Sequence, residues 1–476
     1  MPLSRPSPSA DTPGARRRRP AGVAAIGTFA VGAVAAGAVA VSLGSATRAP
    51  RPADPPPTAA APSLPALRRP PTPAQVRDAD IAFYERRAAA DPTGAIDRSR
   101  LAALYLARSR ETGSAEDVAR AEAAARRALA NHPGRAAGAR QVLAASLLAE
   151  HRFAAALDVA RRLTADDPDA PAFRAMRGEI EMELGRYAEA RATFDSLATP
   201  AGDSVSDLSV APRLARWAEV AGRPDEALRR MRRALGIAMA RRDLPREELA
   251  WFWLRVGDLH LRGGRPAAAD RAYASGLAAH PDDYRLLAAR THLAAVRGHW
   301  QEAIDDGSRA IAVSLDPATL GTMSDAYAAL GDTARAAEFA RTMEIAVSRQ
   351  PGAYHRAWSL FLLDHDRRIG DVLAMARREL RTRRDIYGYD VLGWALHHAG
   401  RDAEARRAMQ TALALGTRDA MLFYHAGMIE RALGHRAAAR ELLSRALATN
   451  AYFHPTQPDS ARRVLAALAA GGGGGP

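Results

Sequence analysis

The sequence predicts an all-α fold in which helix pairs repeat along the chain as a solenoid. Seven times a glycine is followed five residues later by an alanine that opens an apolar run, and several successive copies lie 33 or 34 residues apart. The composition agrees, because 48% of the residues are hydrophobic, only 6% are aromatic, and alanine is the best helix former. A period of this size is typical of helical repeats, which bury their apolar faces against neighbouring units. The seven pairs are Gly185/Ala190, Gly222/Ala227, Gly264/Ala269, Gly298/Ala303, Gly331/Ala336, Gly400/Ala405 and Gly434/Ala439.

The segment 173–197 shows how one such unit is built. Gly178 has no side chain, so the second helix can approach the first closely at this point. Gly185 reverses the chain in a tight turn. Tyr187 and Phe194 then lie on the second helix, where we expect them to fill the gap to the next unit.

The same spacing resembles the tetratricopeptide repeat (TPR) family, whose pattern combines a small residue, a turn glycine, and an alanine and an aromatic residue in the second helix. The resemblance covers about residues 75–455 and implies a right-handed α-solenoid of about ten TPR-like helix pairs. Three stretches carry it most clearly: RVGDLHLRGGRPAAADRAYASGLAAHP (255–281), GWALHHAGRDAEARRAMQTAL (393–413) and GMIERALGHRAAARELLSRAL (427–447).

The predicted solenoid covers residues 74–457 and begins with a leading helix at 74–90, and a capping helix at 458–470 follows it. Gly222 and Gly264 are 42 residues apart, so longer helices are predicted around 235–253. The unit at 354–384 lacks the usual alanine, which predicts a local distortion. The predicted units lie near 95–133, 137–168, 171–202, 208–241, 250–283, 284–316, 317–350, 354–384, 386–418 and 420–453.

The N-terminus is predicted to direct the chain to a membrane. Residues 1–20 form a basic cytoplasmic tail, and residues 21–44 contain no charge. As a helix this run spans about 36 Å, which exceeds the roughly 30 Å of a bilayer core. An uncleaved transmembrane anchor and a cleaved signal peptide both fit, and the length of the run favours the anchor.

The segments that flank the repeats are predicted to lack regular structure. Residues 45–73 contain ten prolines and form an extended linker, while 471–476 is a Gly-rich tail. Because basic residues before a membrane segment stay cytoplasmic, the repeats are predicted on the extracytoplasmic, periplasmic side of a single-pass protein of the cytoplasmic membrane. Cleavage of the segment would instead give a secreted or periplasmic protein.

The net charge of +14 does not predict a nucleic-acid partner. All 67 basic residues are arginine, a use typical of a GC-rich genome, and they face 53 acidic residues. Residues 1–73 contain nine arginines and two aspartates, so half of the excess charge lies before the repeats. The repeats themselves show no basic stripe with interleaved aromatic residues, which nucleic-acid binding favours.

The sequence predicts no enzyme, no cofactor and no metal. It contains no cysteine and none of the motifs H-E-x-x-H, G-x-S-x-G or a P-loop. His397 and His398 are the strongest candidate metal ligands, on the concave wall of a first helix. Adjacent histidines rarely share a metal without a third ligand at helical spacing, so two solvated polar residues are the favoured interpretation.

The concave groove is therefore the predicted partner-binding surface. In TPR proteins, partners contact a fixed set of positions on the first helix of each pair, and here those positions hold aromatic and arginine residues that interfaces favour. The Lys/Asn carboxylate clamp for heat-shock chaperone peptides is absent, since the chain has no lysine. The predicted groove residues are Trp251, Asp258, Arg262, Arg285, His292, Asp325, Tyr387, His397, His398, Met421, Tyr424, Met428 and Arg431.

Two functions are compatible with this sequence. The first is a non-enzymatic scaffold that presents its groove to a protein or peptide on the outer face of a bacterial cytoplasmic membrane. The alternative is an accessory factor that binds a cell-envelope glycan or a polymer-processing enzyme, suggested by the His- and Tyr-rich wall at 387–431.

Overall fold

The computed structural model describes residues 71–132, 137–197, 208–348 and 356–470. Within these ranges the chain forms 22 α-helices and no β-strand, so the all-α prediction is confirmed there. The first eleven helices are α1 (Pro73–Ala90), α2 (Ala95–Thr112), α3 (Ala115–Asn131), α4 (Ala137–Ala149), α5 (Phe153–Asp166), α6 (Pro171–Glu183), α7 (Tyr187–Leu197), α8 (Ala211–Val220), α9 (Pro224–Ala240), α10 (Arg246–Arg262) and α11 (Pro266–Ala279). The remaining eleven are α12 (Tyr284–Val296), α13 (Trp300–Val313), α14 (Pro317–Ala329), α15 (Thr333–Ser348), α16 (Arg356–Asp364), α17 (Ile369–Glu379), α18 (Ile386–His398), α19 (Asp402–Leu413), α20 (Ala420–Ala432), α21 (Arg436–Thr449) and α22 (Gln457–Ala470).

Consecutive helices pack in ten pairs, from α2/α3 to α20/α21, and each pair packs against the next. Helix α1 precedes the first pair and α22 follows the last, where the sequence predicted a leading and a capping helix. Within most pairs, a glycine with a left-handed backbone joins the two helices, such as Gly185 with φ 76°. Six of the seven predicted alanines are fully buried. They let the two helices of a pair approach each other, as the repeat pattern requires.

An aromatic contact connects the pair α6/α7 to its neighbour. Phe194 stacks on Trp217 of the next pair, with ring centroids 5.7 Å apart, as predicted for the second helix of a unit. A methyl group on Gly178 would lie 3.0 Å from the ring of Phe194. The largest apolar cluster includes both Trp217 and Trp394, so the core is continuous across distant pairs.

The pairs wind into a superhelix whose second turn packs on its first. The Arg384 N–H donates to the carbonyl of Leu184 at 3.2 Å, and the Thr417 hydroxyl donates to the carbonyl of Val220 at 2.5 Å. These contacts join residues 200 and 197 positions apart, the length of about six repeats of 34 residues. They also provide donors for carbonyls at the ends of helices, which lack partners within the helix.

The superhelix covers the turns of the early pairs and leaves those of the late pairs open. A Cβ atom on Gly185 would lie 2.2 Å from the carbonyl oxygen of Arg384, whereas one on Gly400 would meet no atom within 4 Å. The leucines that precede two turn glycines, Gly185 and Gly331, differ in exposure in the same way. Leu184 is 7% exposed and Leu330 is 52% exposed, because only the first is covered by the following turn.

Both predicted irregularities are present. Helices α9 and α10 each contain 17 residues, and α10 begins directly after Pro245. In the unit predicted at 354–384, α16 has nine residues and α17 has eleven. In the connection between these two helices, Asp366 and Arg368 adopt left-handed φ values of 52° and 49°. This confirms the local distortion.

The predicted basic tail (1–20), membrane segment (21–44), most of the Pro-rich linker (45–73) and the Gly-rich tail (471–476) lie outside the described residues. At the end of the linker, the Thr72 side chain caps α1 by accepting from Gln75 N–H. None of the helices in the described ranges combines the length and hydrophobicity that crossing a membrane requires.

Candidate binding channel

The first helices of all ten pairs, the even-numbered helices α2 to α20, line one cavity inside the superhelix. The cavity has a volume of about 940 Å³, and residues from Leu106 to Pro455 contribute to its wall. We call this cavity the inner channel. Because the second turn of the superhelix packs on the first, residues far apart in sequence face each other across it.

Eight of the thirteen predicted groove residues line the inner channel. They come from helices α10 to α20, on the face that the repeat register assigns to the concave side. Their contact with a partner stays a prediction. The eight are Trp251, Asp258, Arg262, Arg285, His292, Asp325, Tyr387 and Met421.

The other five predicted residues do not line this cavity: His397, His398, Tyr424, Met428 and Arg431. The segment that leads into α22 explains part of the difference. Tyr424 is 4% exposed, and its ring centroid lies 5.6 Å from that of Phe453 in this segment. Met428 packs against the largest apolar cluster, and Arg431 is exposed elsewhere. The repeat register alone does not show which groove positions such a closing segment covers.

The two adjacent histidines bind different carboxylates. Nδ1 of His397 lies 2.5 Å from Asp402, and Nδ1 of His398 lies 2.8 Å from Asp366. Both rings also contact Trp394. Over the described part of the chain, no three His, Cys, Asp or Glu side chains are placed to hold a metal ion.

Three arginines surround one carboxylate on the wall of the inner channel. Arg216, Arg255 and Arg262 approach the Glu219 oxygens at 2.9, 3.7 and 2.5 Å. We call these three side chains the arginine cluster. On α8, Arg216 and Glu219 are three residues apart and therefore lie on one face of the helix. On α10, the first helix of the next pair, Arg255 and Arg262 are seven residues apart and also share a face.

A second carboxylate completes the surroundings of the arginine cluster. Arg255 Nη1 donates to Asp258 at 2.9 Å, and the Tyr273 hydroxyl donates to the same carboxylate at 3.0 Å. These contacts place the three guanidinium groups of the arginine cluster beside two carboxylates, Glu219 and Asp258.

The electrostatic consequences are visible in the pKa values of these groups. Burial alone would raise the pKa of Glu219, but Arg262, Arg216 and Arg255 together lower it to about 2. Burial lowers the pKa of Arg255, and repulsion from Arg262 adds to that effect. The Glu219 carboxylate is thus strongly held in its charged form.

The two superhelical turns meet at an aromatic ring beside the arginine cluster. Tyr387 of α18 lies between Arg216 of the first turn and Arg356 of the second, with guanidinium carbons 5.6 and 5.1 Å from the ring centroid. Stacking of this type stabilises a cation most where water is excluded. Arg356 also donates to the fully buried Asp390 at 2.7 Å.

A second group of charges lines the channel next to Trp251. Arg285 donates to Asp283 and, at 3.0 Å, to the carbonyl of Glu247. Arg110 also lines the channel, and it makes no hydrogen bond or ion pair with any residue that the structure describes. Burial lowers the Arg110 pKa, and the nearby Glu248 carboxylate opposes this shift.

A neutral histidine, His292, also lines the channel. Burial, with repulsion from His454, lowers the pKa of His292 to about 4, so its imidazole is uncharged near pH 7. It offers a polar ring without a net charge to whatever occupies the channel.

The sequence analysis missed Arg216, Glu219 and Arg255 as channel residues. The same register, applied to α8, gives Arg216 and Glu219. An acid three residues after an arginine in the apolar run 211–220 was the available signal. It also missed Asp390 and His425, which lie 2.6 Å apart in the core. Their connection with Arg356 depends on contacts between pairs and has no local sequence signal.

Comparisons with known proteins agree with the repeat pattern. The family model described as tetratricopeptide repeat matches residues 142–205. This match supports the predicted resemblance for the pair α4/α5 and the pair that follows. A comparison with curated proteins found no match.

The solved structures that are similar to this chain include the following three. The APC/C hetero-tetramer Cut9-Hcn1 is 14% identical, with a TM-score of 0.31, over 82% of this chain and 94% of that one. A human IFIT1 dimer with PPP-AAAA is 15% identical, with a TM-score of 0.42, over 64% of this chain and 69% of that one. PilW, a widely conserved type IV pilus biogenesis factor, is 17% identical, with a TM-score of 0.37, over 48% of this chain and 99% of that one.

Proposed function

We propose that this protein is a non-enzymatic scaffold that binds an extended segment of a protein partner in the inner channel. The observation that carries the proposal is the convergence of the first helices of all ten pairs on one cavity. Repeat proteins use such concave surfaces for binding. The wall offers Trp251, Tyr387 and Arg262, residue types that dominate the binding energy of protein interfaces.

The size of the channel favours an extended segment over a folded domain. Its volume of about 940 Å³ falls within the range of roughly 300–1,000 Å³ that is usual for clefts that enclose small ligands. The contacts of Arg384 with Leu184 and of Thr417 with Val220 close the sides of the superhelix at those levels. A partner would therefore enter from an end of the channel.

For location, we propose that residues 21–44 hold the repeats on the extracytoplasmic side of a cytoplasmic membrane, as an uncleaved anchor. The uncharged run and the arginines before it support this. Alkaline carbonate extraction of membranes that contain the full chain is expected to leave it in the pellet. Release into the wash, or an N-terminus after residue 44 in the mature protein, would contradict the anchor.

The alternative of a glycan-binding accessory factor rested on the His- and Tyr-rich wall at 387–431. The structure buries much of that wall, since His425 is fully buried and Trp394 and Tyr424 are 5% and 4% exposed. These side chains pack in the core and leave little surface for a polymer, so the peptide-binding scaffold is the better supported function.

The proposal is tested by site-specific photo-cross-linking in cells that produce the full chain. Asp325 lines the channel, and Glu338 is exposed on the second helix of the same pair. With p-benzoylphenylalanine at either position, we expect saturable protein adducts at 325 and none at 338. Equal labelling at both positions, or labelling at neither, would reject a partner in the channel.

A further inference from the structure

We propose that the arginine cluster binds one carboxylate of the segment that occupies the channel. This inference rests on the proposed function and assigns a chemical class to the group recognised there. Arg216, Arg255 and Arg262 carry three positive charges, while Glu219 and Asp258 carry two negative charges. Glu183 and Glu179 also lie near Arg216, so what the cluster offers a ligand is the set of N–H donors that these acids do not engage.

Arg262 has the geometry to receive that ligand. Its side chain is 42% exposed, and it contacts Glu219 through Nε. Neither of its Nη groups donates a hydrogen bond to a residue within the described ranges. A guanidinium with both Nη groups available forms two parallel hydrogen bonds with a carboxylate.

The rest of the cluster already uses its local acceptors. Asp258 accepts from both Arg255 and Tyr273, and Glu219 accepts from Arg216 at 2.9 Å. Nε of Arg216 is buried and lacks a hydrogen-bond partner in this part of the structure.

The remainder of the channel favours a single carboxylate over a polyanion. The described residues that line it include eight arginines and nine aspartates or glutamates. Several of these acids, including Glu247, Glu248 and Asp325, lie away from the arginine cluster. A chain of negative charges would extend past the cluster and meet these acids, and like charges placed side by side are unfavourable.

The test uses short neutral peptides of alanine, serine and leucine as probes, measured by calorimetry with the full chain in detergent. One probe has a single internal glutamate and blocked termini, a second has glutamine at that position, and a third has glutamine and a free C-terminal carboxylate. We expect at least one carboxylate probe to bind about tenfold more tightly than the blocked glutamine probe, as a charge-assisted pair implies. The tighter of the two carboxylate probes shows whether the group comes from a side chain or from a chain terminus.

Variants of the cluster separate this site from general binding. Arg262→Gln is expected to remove the tenfold preference while affinity for the blocked glutamine probe is unchanged. Arg262→Lys keeps the charge but loses the paired donors, so it should keep only part of the preference. Arg440→Gln changes an exposed arginine on α21, and it should behave as the unmodified protein.

Three results would overturn the inference. They are equal affinity for carboxylate and glutamine probes, tightest binding by an oligoglutamate, and no detectable binding of any probe. The proposed function has its own outcome, because the cross-link at position 325 identifies a channel partner whatever charge that partner has. A cross-linked partner together with equal probe affinities would reject the carboxylate site alone.

Discussion

Nη2 of Arg383 donates a hydrogen bond to Oε2 of Glu183 at 2.8 Å, although 200 residues separate the two. The two side chains are 7% and 9% exposed. Arg383 also donates through Nε to the Glu183 carbonyl at 3.1 Å and through Nη2 to Asp385 at 2.9 Å. One guanidinium thus joins the end of α6 in the first superhelical turn to the start of α18 in the second.

Replacing Arg383 should therefore separate the turns. Arg383→Ala leaves Glu183 buried without its cation, which is expected to lower the free energy of unfolding by about 3–5 kcal/mol. Urea unfolding measures the loss, and X-ray scattering should show a larger radius of gyration. Arg335→Ala is the control, because that exposed arginine pairs with Asp332 at the surface and should cost less than about 1 kcal/mol. Similar losses in the two variants would argue against a special role for the inter-turn pair.

Two glycine variants isolate the packing of one turn on the other. Gly185 and Gly400 have φ values of 76° and 70°, so an alanine at either position meets the same backbone strain of about 1–2 kcal/mol. Only the Gly185 variant places its Cβ against the Arg384 carbonyl, at 2.2 Å. Gly185→Ala should therefore lose about 1–3 kcal/mol more than Gly400→Ala in thermal or urea unfolding, the usual cost of overpacking. Equal losses would mean that the turns separate freely.

The low pKa of Glu219 predicts a pH dependence of stability. The arginine cluster lowers this pKa from 4.5 to about 2, so folding favours the deprotonated form. The resulting stabilisation, about 3 kcal/mol, is present above pH 4.5 and is lost as the pH falls toward 2. Unfolding free energies of the unmodified protein and of Glu219→Gln should differ at pH 5 and converge near pH 2. Parallel curves over this range would contradict the lowered pKa.

The buried carboxylate of Asp390 should be essential for the second turn. It is fully buried, lies 2.6 Å from His425 Nδ1 and accepts from Arg356 at 2.7 Å. Asp390→Asn keeps the shape but removes the charge that compensates Arg356, so we expect a loss of about 3 kcal/mol in unfolding free energy. Asp270→Asn is the control, because the Asp270 side chain is 43% exposed and lies 3.7 Å from Arg297; its loss should be close to zero. A small loss at position 390 would show that water or a neighbour replaces the carboxylate.

The sequence was sufficient to predict the helix pairs, because short-range sterics determine them. Gly178 and Phe194 meet as the repeat pattern requires, and the turn glycines have the left-handed backbone that their spacing indicates. The contact between turns could not be predicted in this way. The Tyr187 hydroxyl, expected to face the next pair, accepts a hydrogen bond from Ile386 N–H at 2.8 Å. Such a contact depends on small rotations between pairs that add up over about six repeats.

The wall of the inner channel was predictable from the sequence only where it depends on positions along a single helix. A register along each first helix was enough to place Trp251 and Tyr387 on the channel wall, because that register is a local property of the helix. It did not reveal that the segment around Phe453 covers Tyr424, or that Arg216 and Tyr387 meet across two turns. Both relationships depend on which distant surfaces the superhelix brings together.

The covered turns of the early pairs have a consequence for synthesis of the chain. Leu184 and Gly185 leave the ribosome about 200 residues before the Arg384 that covers them. At typical elongation rates of roughly 5–20 residues per second, the first superhelical turn waits about 10–40 s for the second. During that interval, its leucines and carbonyls are open to chaperones or to neighbouring nascent chains. Unlike a repeat array with contacts only between neighbours, this one becomes complete only when its last repeats have been made.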